Sequence, residues 1–172
     1  MDDRPRRRPL RLEGYDYSRD GAYFVTVCTA GRRNLFWEDA AVGAGPRPAR
    51  PPLNAYGELV AQIWAALPDH IPNLILEQFV VMPNHIHGLL RIEGDRAGLE
   101  PAPTVPLGEI VRQLKTFSAR QINQIRGTPG AAVWQRGYHD HIVRDEDDFL
   151  RIWSYIEENP LKWELDRYYR PE

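Results

Sequence analysis

Hydrophobic positions along this chain switch between two rhythms. Short β-rich runs alternate with longer runs at helical spacing, which separates candidate strands from candidate helices. Residues 22–30 (AYFVTVCTA) read as a first strand, bounded by turn-forming RDG and GRR. A Pro- and Gly-rich stretch follows, and Asn54 is placed to cap a helix. In that helix Leu59, Ile63 and Leu67 recur on one face, widened by Val60 and Trp64, and Pro68 stops it. Residues 73–82 and 85–92 read as two strands joined by the tight turn Met82-Pro83-Asn84-His85. After a second loop, residues 107–125 form a long helix whose apolar set is Leu107, Ile110, Val111, Leu114, Phe117 and Ile122. Residues 131–144 read as a strand or strand pair with a kink at Gly137. Asp145 caps a last helix with an acidic first turn, and Pro160 ends it, pushing Asn159 away from helical dihedrals.

The order is β-α-β-β-α-β-α. It predicts an α+β fold of the ferredoxin-like, split βαβ kind: an antiparallel sheet with helices on one face, plus a C-terminal helix. The chain is expected to be one domain over 1–172, with a basic arm at 1–20 and a tail at 160–172.

Composition narrows the class only a little. A net charge of −2 does not mark a nucleic-acid binder, but the charge is unevenly spread. Arg4, Arg6, Arg7, Arg8 and Arg11 crowd the N-terminus, where they either hold phosphates or form a solvated tail. The single cysteine, Cys28, rules out an internal disulfide and reads as a small core residue. With no signal-peptide-like start, this points to the cytoplasm. No apolar run approaches the roughly 20 residues that span a membrane.

The candidate chemistry sits in VVMPNHIHGLLRI, residues 80–92. His85 and His87 share one face of a strand and Ile86 takes the other. If helices cover the Ile86 face, both imidazoles stand on the open face, roughly 6–7 Å apart at Cα, and their nitrogens can converge on one ion. The competing reading is a pair of half-exposed strand histidines. In the last helix Tyr155 and Asn159 lie one turn apart, with Phe149, Ile152, Trp153 and Ile156 as the apolar stripe. A phenol beside a cation can act as a covalent nucleophile, and the Asn159 carboxamide oxygen can complete a His-His-Asn site. The plainer alternatives are a stripe-edge tyrosine and a helix C-cap.

A second His-x-His, His139 and His141, follows Tyr138 and competes for the same roles. A zinc hydrolase built on His85 and His87 is weaker, because no glutamate stands beside them as a general base. Tyr15 and Tyr17 are expected to anchor the arm or stack on bases.

Taken together, FVVMPNHIHGLL, IVRQLKTFSARQIN and VWQRGYHDHIVRDEDDFLRIWSYIEENPLKW, preceded by GYDYSRDGAYFVTVCTAGRRNLF, resemble the single-tyrosine, His-hydrophobe-His transposases. The resemblance is specifically to the bacterial REP-associated tyrosine transposases. It implies a metal-dependent enzyme that nicks and rejoins single-stranded DNA at repetitive palindromic hairpins through a 5′-phosphotyrosine. His85 and His87 would be metal ligands, Tyr155 the nucleophile, and Mg²⁺ or Mn²⁺ the ion. Asn159 stands where insertion-sequence relatives carry a glutamine ligand. The partner would be hairpin DNA, and the protein a monomer or homodimer. Candidates for DNA contact are Arg6, Arg7, Arg8, Arg112, Lys115, Arg120 and Arg136. The alternative is a hairpin-binding protein without cleavage.

Overall fold

The computed structural model describes residues 15–38, 53–94 and 105–170. The arginines Arg6, Arg7 and Arg8 lie outside them. Four strands form one antiparallel sheet in the order β2-β3-β1-β4. They are β1 (Gly21–Cys28), β2 (Leu74–Val81), β3 (His85–Ile92) and β4 (His139–Ile142). Three helices accompany them: α1 (Ala55–Ala65), α2 (Leu107–Arg126) and α3 (Glu146–Glu158). This is the split βαβ order expected from the two rhythms of the sequence, with the final helix added.

Local chemistry sets the helix ends. The Asn54 side chain accepts from the amides of Tyr56 and Gly57 at 3.0 and 3.1 Å, closing the first turn of α1. Asp145 does the same for α3 through Asp148 N at 2.9 Å. Gly127 ends α2 in the left-handed region at φ 64°. At the end of α3 the expectation fails in one detail. Asn159 keeps helical dihedrals (φ −56°, ψ −43°), and the backbone tightens into a 3₁₀ segment, Asn159–Leu165. Pro160 fits near the start of that new segment, where no amide is needed.

Alternation along β3 divides the core. Ile86, Gly88, Leu90 and Ile92 face α1 and α2, which pack side by side. His85, His87 and Leu89 face the opposite way, toward α3. The contact that seats α1 is narrow. The Trp64 indole lies on β3 at Gly88 and stacks on Phe79 of β2 at 4.5 Å. This shifts the buried face of α1 to Gly57, Val60 and Trp64, leaving Leu59 and Ile63 half-buried. The seam of α2 likewise differs from the apolar count. Ser118 is buried and Phe117 is 41% exposed. The Ser118 hydroxyl donates to Leu114 O at 2.6 Å and accepts from the Trp134 indole at 2.9 Å, so a polar residue occupies the seam without an unmet hydrogen bond.

The face carrying the histidines is not open. α3 crosses it, and Trp163 and Tyr168 complete the cover. The open-face placement expected from the strand pattern, like the competing half-exposed pair, is therefore replaced by two imidazoles of 0% exposure.

A methyl group at Gly88 would stand 2.3 Å from the Trp64 ring. Gly88→Ala is expected to destabilise the protein by about 1–3 kcal/mol in denaturant unfolding, and Trp64→Leu in the same chain to recover part of that loss. Independent, additive losses would contradict this seating of α1.

Candidate active site

The site is built from three separated stretches: the start of β3, the last two turns of α3, and the segment after it. His85 Nε2 and His87 Nε2 lie 3.0 Å apart. The Tyr155 hydroxyl lies 3.3 Å from His87 Nε2 and donates to Asp166 Oδ2 at 3.2 Å. Asn159 Nδ2 donates to the same carboxylate oxygen at 3.1 Å. The side chain that joins the histidines is thus Asp166. One of its oxygens and one nitrogen from each imidazole all fall within 4.8 Å of one another.

Each ligand candidate is held from behind. His85 Nδ1 meets Asn84 Oδ1 at 2.8 Å, and His87 Nδ1 meets Thr26 Oγ1 at 2.8 Å. Phe24 of β1 packs against the rings of both His87 and Tyr155. Tyr168 lies 4.7 Å from the His85 ring and carries the guanidiniums of Arg32 and Arg167 over its own ring, at 5.2 and 4.7 Å.

Electrostatics follow from this burial. Desolvation, with Arg167 and Arg32 nearby, pushes His85 down to about 3. His87 is also held well below the ordinary imidazole range, by desolvation and then by His85. Both rings are therefore neutral at physiological pH, the state in which imidazole binds metals. Burial and the Asp166 charge push the Tyr155 phenol up to about 12, so it keeps its proton.

The donor set fits a divalent cation on its own chemistry. Two neutral imidazoles and a carboxylate converge, and the buried Oδ1 of Asn159, whose Nδ2 bonds that carboxylate, has no hydrogen-bond partner. A cavity of about 140 Å³ opens beside them, lined by Tyr155, Glu158, Asn159, Lys162, Leu165 and Asp166.

The other sequence candidates separate. His139 and His141 share the histidine face but stand on the edge strand β4. His141 binds Asp148 of α3 at 2.7 Å instead of turning to the site, and that hydrogen bond draws the Asp148 carboxyl down to about 2. Lys115 Nζ donates to Gln135 O and Arg136 O at 2.6 and 2.8 Å, which ties α2 to the approach of β4. Arg112 pairs with Glu109 at 2.6 Å, Arg120 lines an open cleft along α2, and Arg136 is exposed. The three α2 side chains are across the sheet from the histidines. Tyr15 anchors rather than dangles, its hydroxyl 3.4 Å from that of Tyr23. Asp166, Asn84 and Thr26 were missed. Asn84 and Thr26 were legible in principle as neighbours of the histidines in turn and sheet, whereas Asp166 lies in a tail without periodicity.

A family model described as "Transposase IS200 like" matches residues 69–159, just over half of the chain. That span holds His85, His87, Tyr155 and Asn159 and stops short of Asp166. An uncharacterized protein of Haemophilus influenzae is 34% identical over 95% of this chain and 93% of its own length. A second Haemophilus influenzae protein, named as a candidate REP-associated tyrosine transposase, is 24% identical over 86% of this chain and 74% of its own. A solved REP-associated tyrosine transposase bound to a REP hairpin shares the fold at TM-score 0.56 and 18% identity, covering 89% of this chain and 74% of that one.

The two buried imidazoles set a pH dependence. With folded values below the unfolded one, the unfolded chain binds more protons as pH falls through about 6.5 toward 3, so stability declines over that window. In chelator-treated protein, the melting temperature should fall from pH 7 to pH 4, and His85→Gln should flatten that slope. An unchanged slope in the variant would contradict the burial of neutral His85.

Proposed function

This chain belongs to the IS200-like transposase family, and from that premise we propose that it cuts and rejoins single-stranded DNA beside hairpins, using Tyr155 as nucleophile. The observation that carries the reading is the convergence of Tyr155, from the last helix, on His87 and Asp166. No single stretch of the chain contains that arrangement.

His85, His87 and Asp166 would hold a divalent cation, Mg²⁺ or Mn²⁺, with Asn159 Oδ1 as a further oxygen donor nearby. When bound, such an ion supplies Lewis-acid polarisation of a phosphate oxygen and favours a phenolate over a phenol. The remaining work belongs to the protein. The Tyr155 hydroxyl points its proton at Asp166 Oδ2, leaving an oxygen lone pair free for phosphorus. Attack forms a Tyr155 O–P bond and breaks the bond from phosphorus to the 3′ oxygen. The products are a 5′-phosphotyrosine and a free 3′-hydroxyl. A 3′-hydroxyl attacking that ester reverses the step and regenerates the phenol. The phosphodiester energy stays in the covalent link, so rejoining needs no nucleotide cofactor.

Both histidines are fully buried while Tyr155 is 38% exposed. A strand would therefore approach from the phenol side, through the cavity bounded by Lys162, Leu165 and Asp166. Of the cations considered for hairpin contact, Lys115 is already engaged by two carbonyls and Arg112 by Glu109, which leaves Arg136, and Arg120 on the far side of the sheet, as the candidates. Hairpin DNA as partner is supported by the REP hairpin seen on the structural relative.

The test is a labelled single-stranded hairpin incubated with the protein and Mn²⁺, then resolved on a denaturing gel. A covalent protein–DNA band is expected, lost in Tyr155→Phe while hairpin binding persists. Binding without any adduct, in Mg²⁺ or Mn²⁺, would leave a hairpin-binding protein and overturn the cleavage reading.

A further inference from the structure

Asn84 sits at the tip of the β2–β3 turn with 0% exposure. Its Nδ2 donates to Tyr168 O at 2.9 Å and Arg32 O at 3.3 Å. Carbonyl oxygens only accept, so the amide has one chemically allowed orientation. Its Oδ1 therefore faces His85 Nδ1, and an amide oxygen has no proton to give. His85 must carry its proton on Nδ1, which leaves Nε2 as a bare lone pair aimed at the site. His87 Nε2 lies 3.0 Å away and can bond it only by donating, so in the metal-free protein His87 is protonated on Nε2. His87 Nδ1 is then bare and accepts the Thr26 hydroxyl proton at 2.8 Å. Donation runs in one direction along the line Thr26, His87, His85, Asn84.

We propose that Asn84 and Thr26 are positioning residues with opposite tasks: Asn84 holds His85 permanently in the tautomer that binds a cation, while Thr26 lets His87 exchange between tautomers. This rests on the reading of both histidines as metal ligands. Binding of one ion needs a bare Nε2 on both rings. His85 needs no change. His87 gives up the Nε2 proton and takes one at Nδ1, exchanged through water, so its charge is unaltered. The Thr26 hydroxyl then rotates from donor to acceptor. A hydroxyl serves both states; a methyl group of the same size serves neither. Asn84 also explains how the C-terminal segment bears on the site, since one of its two amide donors ends on Tyr168. The other ends on Arg32, so the orientation of the amide does not depend on the tail alone.

Long-range ¹H–¹⁵N spectra of the full chain with ¹⁵N-labelled histidine test this without DNA or cleavage. Metal-free protein should show His85 protonated at Nδ1 and His87 at Nε2. With Zn²⁺ as a diamagnetic probe, both should be protonated at Nδ1. Asn84→Ala should mix the His85 tautomers and weaken Mn²⁺ binding about 10–100-fold. Thr26→Val should weaken it similarly, and Thr26→Ser should restore it. The proposal is overturned if metal-free His85 is protonated at Nε2, if His87 does not change on Zn²⁺ binding, or if Thr26→Val binds Mn²⁺ like the native protein. Should a variant fail to fold, the native spectra still decide. Because these signals require no strand cleavage, they can fail while the Tyr155 adduct forms, and the reverse.

Discussion

Two neutral imidazoles held 3.0 Å apart in a buried layer are the constraint around which this protein is arranged. Burying a polar ring costs free energy unless each nitrogen finds a partner. Here every nitrogen does: Asn84 and Thr26 behind, the two Nε2 atoms between, and Tyr155 alongside. That satisfaction requires elements far apart in the chain. β1 supplies Thr26, the hairpin turn supplies Asn84, α3 supplies the phenol, and the tail supplies Asp166 and the cover of Trp163 and Tyr168. The sheet is what makes the meeting possible, because β3 lies between β1 and β2 and aims its odd-numbered residues at α3.

The two faces of β3 do unlike work. On one, Gly88 removes a side chain so that Trp64 can lie flat against the strand, which fixes α1 by shape. On the other, the layer is polar and specified by hydrogen bonds. Apolar packing supports the sheet from behind, and the polar layer in front stays neutral because burial penalises the charged form of either ring. The same burial that lowers the histidines raises the phenol, so Tyr155 keeps its proton while both imidazoles stay neutral.

Much of this was legible in the residues. Element order followed from the change between period-two and helical spacing, and the caps at Asn54 and Asp145 from their side-chain oxygens. The pairing of His85 with His87 and the placing of Tyr155 on the last helix followed as well. What was not legible depended on contacts between distant stretches. Apolar counting put Leu59, Ile63 and Phe117 in the core, whereas the Gly88–Trp64 contact and the Ser118–Trp134 hydrogen bond rotate both helices. Strand alternation correctly set the histidines opposite Ile86 but could not reveal that α3 and the tail close over them. Asp166 had no local signature, and its carboxylate joins the two imidazoles beside Asn159, the residue the spacing from Tyr155 had singled out. The second His-x-His pair had the same spacing as the first, yet Asp148 draws His141 aside to hold α3 on the sheet edge.

The central claim is that one ion is gripped by His85 and His87 within reach of the Tyr155 phenol. Pulsed electron paramagnetic resonance of bound Mn²⁺, with histidine labelled by ¹⁵N, counts coordinated imidazoles directly. The account predicts coupling to two histidine nitrogens, reduced to one in His85→Ala and in His87→Ala alike. Bound Mn²⁺ with no histidine coupling, or coupling that survives the loss of both residues, would contradict it.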